Sequence, residues 1–80
     1  MRVRIFVSLK QGVLDPQGKA IERSLHTFGY DEVRDVRVGK FLELEVDAAS
    51  HEAAAARVRE MCDKLLANPV IEDYRFEIED

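Results

Sequence analysis

From Val3 the residues Val3, Ile5, Val7 and Leu9 alternate with Arg2, Arg4, Phe6 and Ser8, the period-two pattern of a strand with one buried face. Lys10, Gln11 and Gly12 end that run, and Asp15-Pro16 follows, an N-cap residue with proline suited to the first helical position. Ala20, Ile21, Leu25 and Phe28 then fall on one helical stripe before Gly29, which predicts a helix over 16–28. Val33, Val36 and Val38 precede Gly39-Lys40, after which Leu42, Leu44 and Val46 alternate with Phe41, Glu43, Glu45 and Asp47. That arrangement predicts two strands joined by a Gly-Lys hairpin turn. Ser50 caps a second helix whose stripe is Ala54, Ala55, Val58, Met61, Cys62, Leu65 and Leu66, and Asn68-Pro69 stops it. The chain closes with a strand carrying Tyr74, Phe76 and Ile78 on one face and Arg75, Glu77 and Glu79 on the other.

The element order βαββαβ predicts an α+β, ferredoxin-like two-layer sandwich: an antiparallel four-stranded sheet with both helices on one face. In the usual strand order, 4-1-3-2, the first strand is central. Arg2 and Arg4 are then expected between Glu43 and Glu45 on one side and Glu77 and Glu79 on the other, so that opposite charges face each other. Phe6 and Phe41 share that uncovered face. Two rings inside a charged rim look like a contact surface, and an oligomer contact is expected there.

Composition narrows the function. With 80 residues the chain has room for a single domain, 1–80, and one core. Folding at this length buries only about 60–65% of the unfolded chain's surface, so association with other chains would add stability. Hydrophobic residues make up 46% and charged residues 35%, a balance that supports a packed core and argues against disorder. Sixteen acidic against twelve basic residues give a net charge of -4, leaving no overall basic field for nucleic acid or anionic lipid. Cys62 is the only cysteine. It excludes an internal disulfide and fits a reducing compartment, so the cytoplasm is the expected location. No stretch is apolar and long enough for a signal peptide or membrane span, and no targeting segment is expected.

A search for chemistry finds little. His26 and His51 fall on different helices without ligand partners at metal spacing, and neither a Cys pair nor an Asp-rich calcium loop is present. Cys62, on the apolar stripe of the second helix, has the setting of a small buried hydrophobe. Gly12 and Gly18 bracket the loop after the first strand, but their spacing matches no phosphate-binding glycine motif. The acidic tail, Glu72, Asp73, Glu77, Glu79 and Asp80, has no positioned acid–base partner. Recognition of RNA would use rings such as Phe6 and Phe41, yet Glu43 and Glu45 beside them would repel phosphate. No catalytic, cofactor-binding or metal-ligating residue is therefore expected in this chain.

Three stretches are more specific than a generic ferredoxin-like sequence. They are Val7–Lys10 with Val13–Gly18, Asp31–Val33 with Asp35–Lys40, and Leu65–Asn68 with Val70–Tyr74. Together, in order and over essentially the whole chain, they closely resemble the PurS family, the small accessory subunits of phosphoribosylformylglycinamidine (FGAM) synthase in purine biosynthesis. The resemblance implies a non-catalytic subunit that joins an ATP-dependent, PurL-type synthetase subunit to a PurQ-type glutaminase subunit and supports ammonia transfer. It also implies that ATP, Mg and glutamine are used by the assembled ligase complex, and that the small subunit self-associates as a dimer or tetramer.

Carried onto this sequence, the resemblance points to Lys10, Leu14, Asp15, Pro16 and Gly18 in the first loop as partner contacts. Arg37, Gly39 and Lys40 occupy the expected hairpin, and Asn68, Glu72 and Tyr74 follow the second helix. Asp15, Pro16, Gly39 and Asn68 also have structural reasons to be where they are, as helix starts, turns and stops. Lys10, Arg37 and Lys40 have none in the expected fold, which makes them the sharper functional candidates. The alternative from another class is a free-standing, ACT-like regulatory module of the same element order, binding a small effector at the start of its first helix against a dimer partner.

Overall fold

The structure, a computed structural model, describes residues 1–79; Asp80 of the acidic tail lies outside the described residues. The elements are β1 (Arg2–Leu9), α1 (Pro16–Thr27), β2 (Lys40–Glu45), α2 (His51–Met61) with a wider turn over Cys62–Leu66, and β3 (Glu72–Glu79). The three strands form one antiparallel sheet in the order β2-β1-β3. Ala54, Val58 and Cys62, each four residues after the last, are buried on one side of α2 and its continuation, against Val3, Ile5 and Val7 of the central strand. In the last turn the Ala67 N–H reaches back five residues to the Cys62 carbonyl at 3.0 Å, a π turn that ends the helix. Among the described residues no helix is long and apolar enough to cross a membrane.

Two expectations are corrected. The sheet has three strands, not four, because residues 33–38 do not form a strand beside β2. Asp35 sits in the left-handed region at φ 56°, which interrupts an extended run. The backbone of this segment is instead satisfied by side chains of α1 and its cap. Asp35 N–H donates to the Glu22 carboxylate at 3.0 Å, Val38 N–H donates to Asp15 Oδ2 at 2.7 Å, and His26 Nε2 lies 2.7 Å from the Val33 carbonyl oxygen. Nor does the expected hairpin at Gly39-Lys40 fold the chain back. Gly39 passes so close to the Val7 carbonyl that a Cβ would overlap it, and the chain runs on past the last sheet pair, Val7↔Lys40.

The second correction concerns α1. It was expected on the same face as α2, but no α1 residue belongs to the core cluster, and only Gly18 of the helix is buried. Together α1 and residues 30–39 form an arm that projects from the end of the sheet. The molecule measures 51 × 26 × 14 Å with a radius of gyration of 16.1 Å, against about 12 Å for a compact chain of this length.

Candidate functional site

The open face of the sheet carries the expected ladder of charge. Arg2 pairs across to Glu45 and Glu79, Arg4 to Glu43 and Glu77, and Phe6 to Phe41 and Arg75. Arg2 lies within 3.4 Å of Glu43 and 3.3 Å of Glu45, while Arg4 bonds Glu79. Half exposed, these pairs contribute register more than stability. The rings of Phe6 and Phe41 meet at 5.1 Å, and the Arg75 guanidinium lies 3.9 Å from the centre of the Phe6 ring. Arg75 is a member of this patch that the sequence pattern did not single out; it became visible only once β3 was placed beside β1.

The loop candidates converge at one end of the molecule, where the arm meets the sheet. Asp15 is the hinge pin. Its two carboxylate oxygens accept from Gly18 N–H at 2.8 Å, capping α1, and from Val38 N–H at 2.7 Å, closing the arm. Those bonds, first Val38 and then Gly18, hold the Asp15 carboxyl below its ordinary value, with Arg37 adding a smaller pull. Pro16 occupies the first helical position. Gly18 is buried against the Val36 carbonyl, where any Cβ would overlap backbone. Leu14, by contrast, is 73% exposed.

Lys10, Arg37 and Lys40, expected to lack a local structural partner, each have one. Lys10 Nζ lies 3.2 Å from Asp73, Arg37 donates to the Lys10 carbonyl at 3.2 Å, and Lys40 donates to the Leu66 carbonyl at 3.2 Å while facing Glu72 at 3.8 Å. Lys40 thereby holds a carbonyl at the end of the α2 extension, where a cation also complements the helix dipole. Asn68 completes the junction: its N–H donates to Glu72 Oε1 at 2.7 Å and its Oδ1 accepts from Val70 N–H at 3.1 Å. Beside it opens a shallow cavity of about 340 Å³ lined by Lys10, Asp63, Glu72 and Tyr74, with the Cys62 side at its floor. Burial, and then neighbouring Asp63, push the Cys62 thiol and the Tyr74 hydroxyl upward in pKa, so both stay protonated at neutral pH.

Neither nucleotide nor effector binding fits the start of α1. An anion there needs free N–H groups and a positive helix end. Asp15 already fills the position with its own carboxylate, bonded to Gly18 N–H. Among the described residues no group of three or more His, Cys, Asp or Glu side chains is placed to hold a metal ion.

Asp15 also sets an acid dependence. Its folded-state pKa is lowered, so the stability it supplies is complete above the unfolded value of about 3.9 and is lost as pH falls through the lowered folded value. In amide exchange, wild-type protection over residues 16–38 should fall below about pH 4. The Asp15→Asn variant should be less protected at neutral pH and respond less to acid.

A small sheet with one helix layer, an exposed arm and a junction of ion-paired loops defines a subunit shaped for contact with other chains. The sequence profile of the PurS family, described as phosphoribosylformylglycinamidine (FGAM) synthase, matches residues 2–80, and the chain belongs to that family. It is 52% identical over 79 residues to the phosphoribosylformylglycinamidine synthase subunit PurS of Bacillus subtilis strain 168, covering 99% of this chain and 93% of that protein. The Synechocystis subunit of the same name is 49% identical over 75 residues, 94% of this chain and 75% of that one. Among solved structures, B. subtilis PurS superposes with a TM-score of 0.89 at 53% identity, covering 99% and 98% of the two chains. A chain of the PurLQS structure from Thermotoga maritima gives 0.87 at 38% identity, covering 95% and 93%. PurS proteins are subunits of FGAM synthase in purine biosynthesis.

Proposed function

We propose that this chain is the non-catalytic joining subunit of a cytoplasmic FGAM synthase, holding a PurL-type synthetase to a PurQ-type glutaminase and supporting ammonia passage between them. ATP, Mg and glutamine are then used by the assembled ligase, on its other subunits. The observation that carries this reading is the junction itself: Lys10, Arg37, Lys40, Asn68 and Glu72, from distant parts of the chain, are gathered at one end of the molecule. The likeness to a chain of the T. maritima PurLQS structure over 95% of this chain supports it. The open face with Phe6 and Phe41 is a second contact surface, between copies of this chain.

Mixing the protein with PurL-type and PurQ-type subunits and measuring glutamine-dependent turnover tests the reading. Turnover should require this chain; equal rates without it would refute the proposal. At the junction, Lys40→Glu removes the bond to Leu66 and sets a carboxylate against Glu72, so complex formation on gel filtration should weaken. The core beneath, centred on Val3, Ile5 and Val58, is untouched, and the circular dichroism of the isolated chain should stay helical. An unchanged elution profile of the complex would remove Lys40 from the interface.

A further inference from the structure

Two routes cross from the arm to the end of α2. In the first, the Arg37 guanidinium donates to the Lys10 carbonyl at 3.2 Å, and the Lys10 N–H donates in turn to the Ile71 carbonyl at 2.8 Å. The second starts where the arm enters β2. Lys40, the residue after the close passage of Gly39 over Val7, reaches the Leu66 carbonyl and Glu72. Both routes end on the connection between α2 and β3.

That connection is tied to itself. The Asn68 carbonyl accepts from Ile71 N–H at 3.1 Å and from Glu72 N–H at 2.7 Å, while Asn68 N–H donates to the Glu72 carboxylate at 2.7 Å. A segment with its backbone groups paired internally moves as one piece, so a displacement at Ile71 or Glu72 is carried to Leu66 and Ala67.

The receiving element has two arrangements open to it. The Ala67 N–H bonds the Cys62 carbonyl five residues back, whereas in an ordinary α-turn that carbonyl takes the N–H four residues on, that of Leu66. Passing from the wide turn to the ordinary one shifts Leu66 and Ala67 against the helix, and the Leu66 carbonyl is the group that Lys40 holds. Cys62 and Ala67, the two ends of the wide turn's bond, both line the cavity of about 340 Å³ beside the junction. Cys62 itself is fully buried. The ties from the arm are weak ones, since the Lys10 and Lys40 side chains are about half exposed and such contacts hold with little energy.

We infer that the arm and the end of α2 form one switch. With Arg37 and Lys40 bonded, the turn over residues 62–66 is held wide and Cys62 is sealed. A chain that draws the arm away releases the turn and opens the cavity to solvent. The coupling is reciprocal: whatever holds the cavity closed tightens the arm by the same factor. It goes beyond the joining role and does not rest on it.

Alkylation of Cys62 by iodoacetamide in the full chain, followed by mass, tests this. The wild type should react slowly. Arg37→Met and Lys40→Met each cut one route at an exposed side chain and should speed the reaction about 5-fold or more, the usual range of such couplings. Asp15→Asn loosens only the arm's own attachment and should speed it as well, although Asp15 does not line that cavity. From the α2 side, Glu72→Ala removes the acceptor of Asn68 N–H and a partner of Lys40, and should lower amide protection over residues 33–38. In all four variants amide exchange of β1 and β3 should stay at the wild-type level, which separates the switch from global unfolding. Wild-type alkylation rates in the first three variants, unchanged protection over 33–38 in Glu72→Ala, or faster alkylation matched by an equal loss of protection in β1 and β3 would each overturn it.

Discussion

Gly18→Ala should destabilise the arm, although glycine to alanine inside a helix ordinarily stabilises by about 1 kcal/mol. The reversal comes from packing. An added Cβ overlaps the carbonyl oxygen of Val36 and presses on the Asp15 side chain, and neither neighbour is a flexible tip. The Val36 backbone is fixed by the Val38–Asp15 bond two residues on, and Asp15 is fixed by both of its own bonds. Relief requires the 33–38 segment to leave α1, which costs about 1–3 kcal/mol, the range for forcing extra atoms into a packed site. Amide exchange should show the loss confined to residues 16–38, with β1 and β3 protected as in the wild type. Equal or greater protection of the arm would mean that the segment can shift without penalty.

The largest loss of stability is expected at the other layer, from Ile5→Ala. Ile5 is fully buried in the middle of the central strand, between Leu42 and Phe76 in the ladder. Its removal leaves a cavity under α2 that the flanking strands cannot close, costing about 2–5 kcal/mol. A domain of this size has only about 4–12 kcal/mol in total, so the midpoint of urea unfolding should drop steeply. A change below about 1 kcal/mol would show that α2 settles into the space.

Much of the architecture was legible along the chain because it rests on local chemistry. Asp15 and Ser50 cap the two helices as their residue types suggest, Ser50 Oγ accepting from Ala53 N–H at 3.1 Å. The alternation of β1, β2 and β3 placed Arg2 and Arg4 of the open face between glutamates before any register was known. The strand expected over Val33–Val38 failed for reasons that were partly visible. Val33 and Val36 are three apart, which breaks the period of two, and Asp35 between them tolerates a left-handed backbone. The rest lay outside any local pattern, since the partners of that segment are side chains 13 and 23 residues earlier.

The cations at the junction tell the same story. Arg37 and Lys40 meet carbonyls 27 and 26 residues away, and only the folded ends of β1, α2 and β3 bring those groups together. The stripe of α1 was recognised as apolar but assigned to a core. Amphipathicity says that a face must be covered, not by which chain.

The outer edge of β3 bears on how growth of the sheet is limited. Its solvent-facing row is Asp73, Arg75, Glu77 and Glu79, and the matching row of β2, Phe41, Glu43 and Glu45, is also mostly acidic. An acidic border of that kind repels a like edge. With glutamates along both margins, two copies laid edge to edge bring like charges together, which disfavours growth of one continuous sheet from chain to chain.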